Sequence, residues 1–229
     1  MATTDLDYAV YVAPPKVAVS DDLPLGEHRR MWSPTASTLI YGAWDAVLVD
    51  PLMTKEESRT LTEWMVATGK NVLTIFVTHA HGDHCFGAPA VLERFPDARV
   101  VATPGVVACM GAHYGPRWSD GFWNPRFPGQ ISDQHVTAQP LNDGVLELEG
   151  LLLRAIELGR TDTDSTSALQ VPSTGLVVAG DAVYGDVHLY LAEANANGAQ
   201  EWLEALDIIE NPAHPPGHRG DGPSAAMNR

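Results

Sequence analysis

The spacing of apolar and polar positions changes several times along this chain, and each change marks an expected element. In STLIYGAWDAVLVD two apolar runs flank Gly42, which predicts a hairpin whose second strand ends on Asp50-Pro51. TKEESRTLTEWMVATGK reads as a helix with both ends marked: Thr54 is the N-cap, Glu57 its capping-box partner three residues on, and Gly69 the stop. NVLTIFV, rich in β-branched residues, predicts a buried strand. A second helix is expected over GAPAVLERF, a strand over ARVVATP, and a short helix from Val106. VLELEGLLLRAIELG and TSALQVPSTGLVVAGD supply later strands, with Asn142-Asp143-Gly144 and Ser173-Thr174-Gly175 as turns. GAQEWLEALDIIE closes the pattern as an amphipathic helix, placing Trp202, Leu203, Leu206 and Ile209 on one face. The stretch GPRWSDGFWNPRFPGQ, full of Trp, Phe, Pro and Gly, is expected to be an irregular packed loop suited to lining a substrate cleft.

No repeat, linker or charge block interrupts this alternation, so residues 1–211 read as one α/β domain. From residue 212 the composition turns to Pro, Gly and Ser, and residues 212–229 are expected to be an irregular, disordered or truncated tail. A chain of 229 residues with 45% apolar content is long enough for one sizeable core. The net charge of −15, from 14 basic and 29 acidic residues, repels a phosphate backbone and argues for a small-molecule substrate over nucleic acid. The N-terminal MATTDLDYAV lacks the basic and apolar regions of a secretory signal, and no stretch reaches membrane-spanning length. An intracellular, cytoplasmic protein without a membrane partner is expected. Cys85 and Cys109 are too few for a disulfide framework, which fits a reducing compartment.

The candidate chemistry lies in THAHGDHCFG, directly behind the strand NVLTIFV. His79, His81, Asp83 and His84 fall within six positions. Imidazole and carboxylate donors suit zinc and neighbouring divalent metals, and so many titratable groups are costly to bury without a cation between them. Loops at the ends of strands commonly carry such groups.

This chain resembles the metallo-β-lactamase superfamily, whose His-x-His-x-Asp-His signature THAHGDH meets without a mismatch. The resemblance runs from STLIYG…VLVD through THAHGDH to VVAGDAVY, in the family's order. It implies a four-layer αββα sandwich with a one- or two-metal site at one edge of the sheets. By that resemblance His79 and His81, with a third histidine from a later loop, would hold a first metal. Asp83 and His84, with a late histidine, would hold a second, and Asp181 of AGD would bridge. The metal is expected to be zinc, one ion or two, with iron and manganese as alternatives.

Two places depart from the family pattern. In ELGRTDTDST the expected third histidine is Arg160, which has no lone pair to offer, so Asp162 or Asp164 would have to substitute. After the last helix the Pro-rich NPAHPPGHRG offers Gly217-His218 as the best match to the late ligand, with His214 second. His188, close behind Asp181, is a candidate for the cleft or for a strand; His28, His113 and His135 read as surface or packing residues, and Cys85 as a small buried filler. The implied activity is hydrolysis of an ester, thioester, lactone or lactam by a metal-activated water, with Asp83 orienting the nucleophile. Arg160 keeps open a second reading, a degenerate relative whose reduced centre rests on Asp83, His84 and Asp181 with the guanidinium beside the substrate. A mononuclear iron oxidoreductase is a third.

Overall fold

A computed structural model describes residues 5–23 and 25–211. The chain begins with β1 (Asp7–Val12), β2 (Lys16–Ala18) and β3 (Arg30–Trp32), then β4 (Ala36–Tyr41), β5 (Asp45–Val49), α1 (Lys55–Ala67) and β6 (Asn71–Phe76). After β6 come α2 (Gly82–Cys85), α3 (Ala88–Arg94), β7 (Arg99–Ala102), α4 (Pro104–His113), α5 (Asn124–Arg126) and β8 (Gln139–Pro140). The second half adds β9 (Val145–Leu148), β10 (Leu151–Gly159), β11 (Thr166–Val171), β12 (Leu176–Val178) and α6 (Gly198–Glu210). One six-stranded sheet runs β1-β4-β5-β6-β7-β8, a four-stranded sheet runs β12-β11-β10-β9, and β2 pairs with β3.

The strand sequences dictate how these sheets stack. Consecutive residues of a strand face opposite sides, so a run apolar at every position requires both sides to be covered. On the first sheet Leu39, Leu48 and Ile75 turn to a core shared with Leu61 and Met65 of α1, Val91 of α3 and Met110 of α4. Their neighbours Ile40, Val47 and Phe76 turn the other way, onto Leu146, Leu153, Leu169 and Val171 of the second sheet. A third cluster, Leu158 and Ala168 with Ala205, Ile208 and Ile209, attaches α6 to the outside of that sheet. The order of layers is therefore helix, sheet, sheet, helix, the expected αββα sandwich.

Local signals act as their chemistry requires. Thr54 accepts from Glu57 N–H while the Glu57 carboxylate accepts from Thr54 N–H, closing the capping box, and Gly69 ends α1 at φ +72°. The helix expected from Val106 starts earlier, at Pro104, because proline is well suited to a first helical turn. Leu203 does not join the apolar face of α6; it is 57% exposed, and Trp202 and Ala205 are the buried positions. The segment YGDVHLYL around His188, residues 184–191, is irregular rather than a strand. The tail from residue 212, with His214 and His218, lies outside the described residues.

The turn between β9 and β10 was not anticipated. Glu149 and Gly150 both take positive φ, 49° and 83°, as a two-residue hairpin connection demands. Glu149 uses that bend to accept N–H bonds from Ala43, Trp44 and Asp45, capping the β4–β5 turn of the other sheet. The backbone donors of Asp45 and Trp44, and then that of Ala43, hold its carboxyl below the ordinary value of 4.5. A carboxyl depressed in the folded state contributes stability above its unfolded value and loses it as pH falls through the folded one. Glu149→Gln is expected to lower the urea midpoint at neutral pH, with the difference from wild type closing below pH 4.5.

Candidate metal centre

The site starts where two parallel strands stop side by side. β5 and β6 run parallel, so Asp50 and Thr78 leave the sheet at the same edge. Asp50 is buried with φ +59°; its Oδ1 accepts from Thr78 N–H at 2.8 Å, and its Oδ2 accepts from Thr78 Oγ1 at 2.7 Å. The same Oδ2 lies 2.8 Å from His84 Nδ1, which fixes the ring with Nε2 pointing away from Asp50. Thr78 also joins the two sheets, since its carbonyl accepts from Ser167 N–H and Oγ of β11 at 2.8 and 2.9 Å. Gly180 packs flat on this corner at φ +54°; a Cβ there would lie 2.5 Å from Thr78 Oγ1.

The donors converge around that corner. His79 Nε2 lies 3.3 Å from Asp162 Oδ2, and His81 Nδ1 lies 2.8 Å from the same oxygen. His84 Nε2 is 3.2 Å from Asp181 Oδ1, and Tyr184 donates its hydroxyl to Asp181 Oδ2 at 2.7 Å. Asp83 Oδ2 accepts from the Trp32 indole at 3.1 Å and faces the cleft. The other ring nitrogen of His81 contacts Glu193 Oε1 at 2.8 Å, and Glu193 Oε2 accepts from Thr163.

These neighbours set the charges. Burial pushes the His81 pKa down, but Asp162 and Glu193 outweigh it and carry it up to about 10. Burial likewise opposes, and Asp181 and Asp50 overcome, a rise at His84. At His79 burial wins and the pKa falls. Against the opposing effect of burial, His79 and His81 hold the Asp162 carboxyl far below the carboxylate range, and His84 holds Asp181 down to about 2. The carboxylates are charged and ready to accept.

Of the residues singled out from sequence, His79, His81, Asp83, His84 and Asp181 lie together at this edge. Arg160 is turned away from the histidines: it pairs with Asp164, meets Glu201 at 3.3 Å and donates to the Glu193 carbonyl. The group beside His79 and His81 is Asp162, buried where Asp164 is exposed. His188 is exposed at the cleft mouth. His113 is not the isolated packing residue expected; it is buried, stacked on Trp118, with its ring 5.2 Å from that of His81. Cys85 is a buried filler whose thiol donates to Ala80 O, and burial pushes its pKa up to about 12.

Asp50 and Glu193 were missed as site residues. Asp50 had a legible signal, a carboxylate ending an apolar strand next to the strand that carries the histidines. Glu193 had none, since it reaches His81 across 112 positions.

The donor set fits a divalent cation. His79 Nε2 is buried without a hydrogen-bond partner, 3.3 Å from Asp162 Oδ2, an oxygen that lies 2.8 Å from His81 Nδ1. Leaving such a buried nitrogen unpaired is costly unless something else meets it. Among the described residues, the ligand atoms of His79, His81 and Asp162, and those of Asp50, His79 and His84, each lie within 4.8 Å of one another. Asp50 spends its oxygens on Thr78 and His84 and so positions rather than coordinates.

A family model described as the metallo-beta-lactamase superfamily matches residues 30–215. The chain belongs to that superfamily, a fold class that implies divalent metal binding. The solved metallo-beta-lactamase of Pontibacter korlensis shares the fold at TM-score 0.64 with 16% identity, covering 90% of this chain and 86% of that one. A metallo-beta-lactamase family protein from Thermus thermophilus superposes at TM-score 0.58 with 23% identity, over 86% and 68% of the two chains. A stretch of 58 residues is 36% identical to a hydroxyacylglutathione hydrolase of Parasynechococcus marenigrum (strain WH8102), covering 25% of this chain and 22% of that protein.

Arg160 ties the irregular segment carrying Glu193 to the end of β10 and to α6. Arg160→Ala is expected to raise the rate of limited proteolysis between residues 183 and 197 about fivefold, the effect of ~1 kcal/mol of lost tethering. An unchanged cleavage rate would show that the clamp does not hold the segment.

Proposed function

We propose that this protein is a metal-dependent hydrolase of acyl thioesters and related esters. The observation that carries the proposal is the unpartnered buried Nε2 of His79, which converges with His81 Nδ1 on the buried Asp162 Oδ2. Under this reading His79, His81 and Asp162 hold one cation, and Asp83 and His84 a second, with Asp181 between them. His218 remains the candidate for a further ligand. The nitrogen and oxygen donors suit zinc, and also iron or manganese. A cation held there acidifies water and polarises an acyl carbonyl. Asp83, held by Trp32, orients the attacking water and accepts its proton. His84, locked by Asp50, keeps Nε2 free to face Asp181.

Thioesters are favoured over amides by what leaves. A thiol has an ordinary pKa near ~8.5 and departs as thiolate, whereas an amine needs a proton from a general acid. With His79, His81 and His84 read as metal ligands, none of these three is free to supply that proton. The name of the hydroxyacylglutathione hydrolases that match a quarter of the chain points the same way. The degenerate reading rested on the ligand missing at Arg160 and on the altered C-terminal element; Asp162 beside His79 and His81 speaks against the first of these.

Metal analysis of protein purified without chelators, run beside a thioester panel, tests the proposal. Wild type is expected to hold divalent metal and hydrolyse thioesters, with activity lost on chelation and restored by zinc. Asp162→Ala is expected to lose about one equivalent of metal and ~100-fold in kcat/KM, about 2.7 kcal/mol. Asp164→Ala is expected to keep its metal. Metal-loaded wild type that cleaves no acyl substrate would refute the hydrolase.

A further inference from the structure

We propose that the acyl group taken by this site carries an aromatic ring and a carboxylate, the carboxylate bound by Arg126; this rests on the hydrolase reading above. A cleft of about 480 Å³ opens onto His81, Asp83 and Asp181. Its far wall is aromatic: Trp32, whose indole N–H holds Asp83, packs edge-on against Phe122 and Trp123, and Trp118 packs edge-on against Phe122. A substrate with its carbonyl at Asp83 extends its acyl chain along this wall. Flat apolar surface of that kind takes an aryl group in edge or offset contact.

Beside the carboxylates of Asp22, Asp83 and Asp181 the cleft carries two guanidiniums, Arg30 and Arg126, and these suit an anion. The Arg126 guanidinium lies 3.8 Å over the Phe122 ring and donates through one nitrogen to the Phe122 carbonyl at 2.9 Å. Stacked and hydrogen-bonded, it is held as a flat fork with further N–H donors open to the cleft. Arg30, also on the cleft, donates to the Asp22 carbonyl. Among the described residues neither arginine forms an ion pair with a carboxylate. Placed on the cleft, their remaining N–H donors offer a planar fork to a carboxylate carried by the substrate.

The same arrangement disfavours a cation. An aromatic wall is otherwise suited to a quaternary ammonium, but Arg126 covers Phe122, and Arg117 lies 5.7 Å from the Trp118 ring. Those faces already carry the chain's own positive charge.

Non-hydrolysable phenylalkyl thioethers of one frame, ending in carboxylate, carboxamide or trimethylammonium, provide the test. Binding to the full metal-loaded chain is read by tryptophan fluorescence. The carboxylate is expected to bind at least tenfold more tightly than the amide, with the ammonium weakest. Arg126→Gln is expected to erase the preference, and Arg59→Gln, an exposed change on α1, to preserve it. If Arg126→Gln does not fold, the salt dependence of wild type decides: only the carboxylate should weaken as ionic strength rises. Equal binding of the three ligands, a preference that survives Arg126→Gln, or a carboxylate affinity indifferent to salt overturns the proposal. Thioether binding with this preference but no thioester turnover would refute the hydrolase reading alone. Turnover of thioesters without the preference would refute this inference alone.

Discussion

At the end of β5 the Asp50 carboxylate meets the neighbouring strand's exit, taking the N–H and hydroxyl of Thr78 and the Nδ1 of His84. A buried carboxylate needs such partners, and it finds them only because parallel strands end at one edge. The arrangement costs a left-handed backbone at Asp50, and at Leu52 two residues on. In return it fixes where THAHGDH leaves the sheet. Gly87 keeps the loop close: a Cβ there would lie 2.0 Å from the Pro51 carbonyl. The histidines are therefore aimed by the fold rather than by the loop's own preferences.

Charge balance then shapes what surrounds them. Asp162, Asp181 and Glu193 approach from the second sheet and the segment before α6, and each meets a histidine. In the bare chain those histidines can answer the carboxylates only by holding protons, which is why His81 and His84 are pushed upward while buried His79 is not. A divalent cation would answer the same negative charge without protons, and the unpartnered nitrogen of His79 would be among its ligands.

Much of this was legible in the sequence, and the limits have physical causes. The β4–β5 hairpin, the capped α1 and the buried β6 are set by signals within a few residues, and they appear where the pattern places them. The layering followed from the resemblance, and the runs apolar at every position fit it. Leu203 was misplaced because a helical face is fixed by the partner it packs on, here Ala168 and Leu158 of the sheet. Glu149 capping a turn 104 to 106 positions away, or Glu193 meeting His81, leaves no local trace. His113 looked isolated for the same reason, since its companions Trp118 and His81 are brought to it by α4 and the aromatic loop.

Arg160 shows how a position that departs from the family pattern and an intact motif can coexist. Sequence order aligned it with a ligand, and its chemistry forbids that role. Two residues on, Asp162 has the reach, the charge and the burial, with Thr161 donating to its Oδ1 at 2.8 Å and leaving Oδ2 for the histidines. An arginine at residue 160 is then free to face outward, where Asp164, Glu201 and the Glu193 carbonyl surround it. The one clamp holds both the strand end bearing Asp162 and the segment bearing Glu193, which grip His81 from its two nitrogens. A histidine held from both nitrogens is restrained, so its ring stays aimed into the site. That rigidity is what a residue unable to bind metal contributes to a site built to hold one.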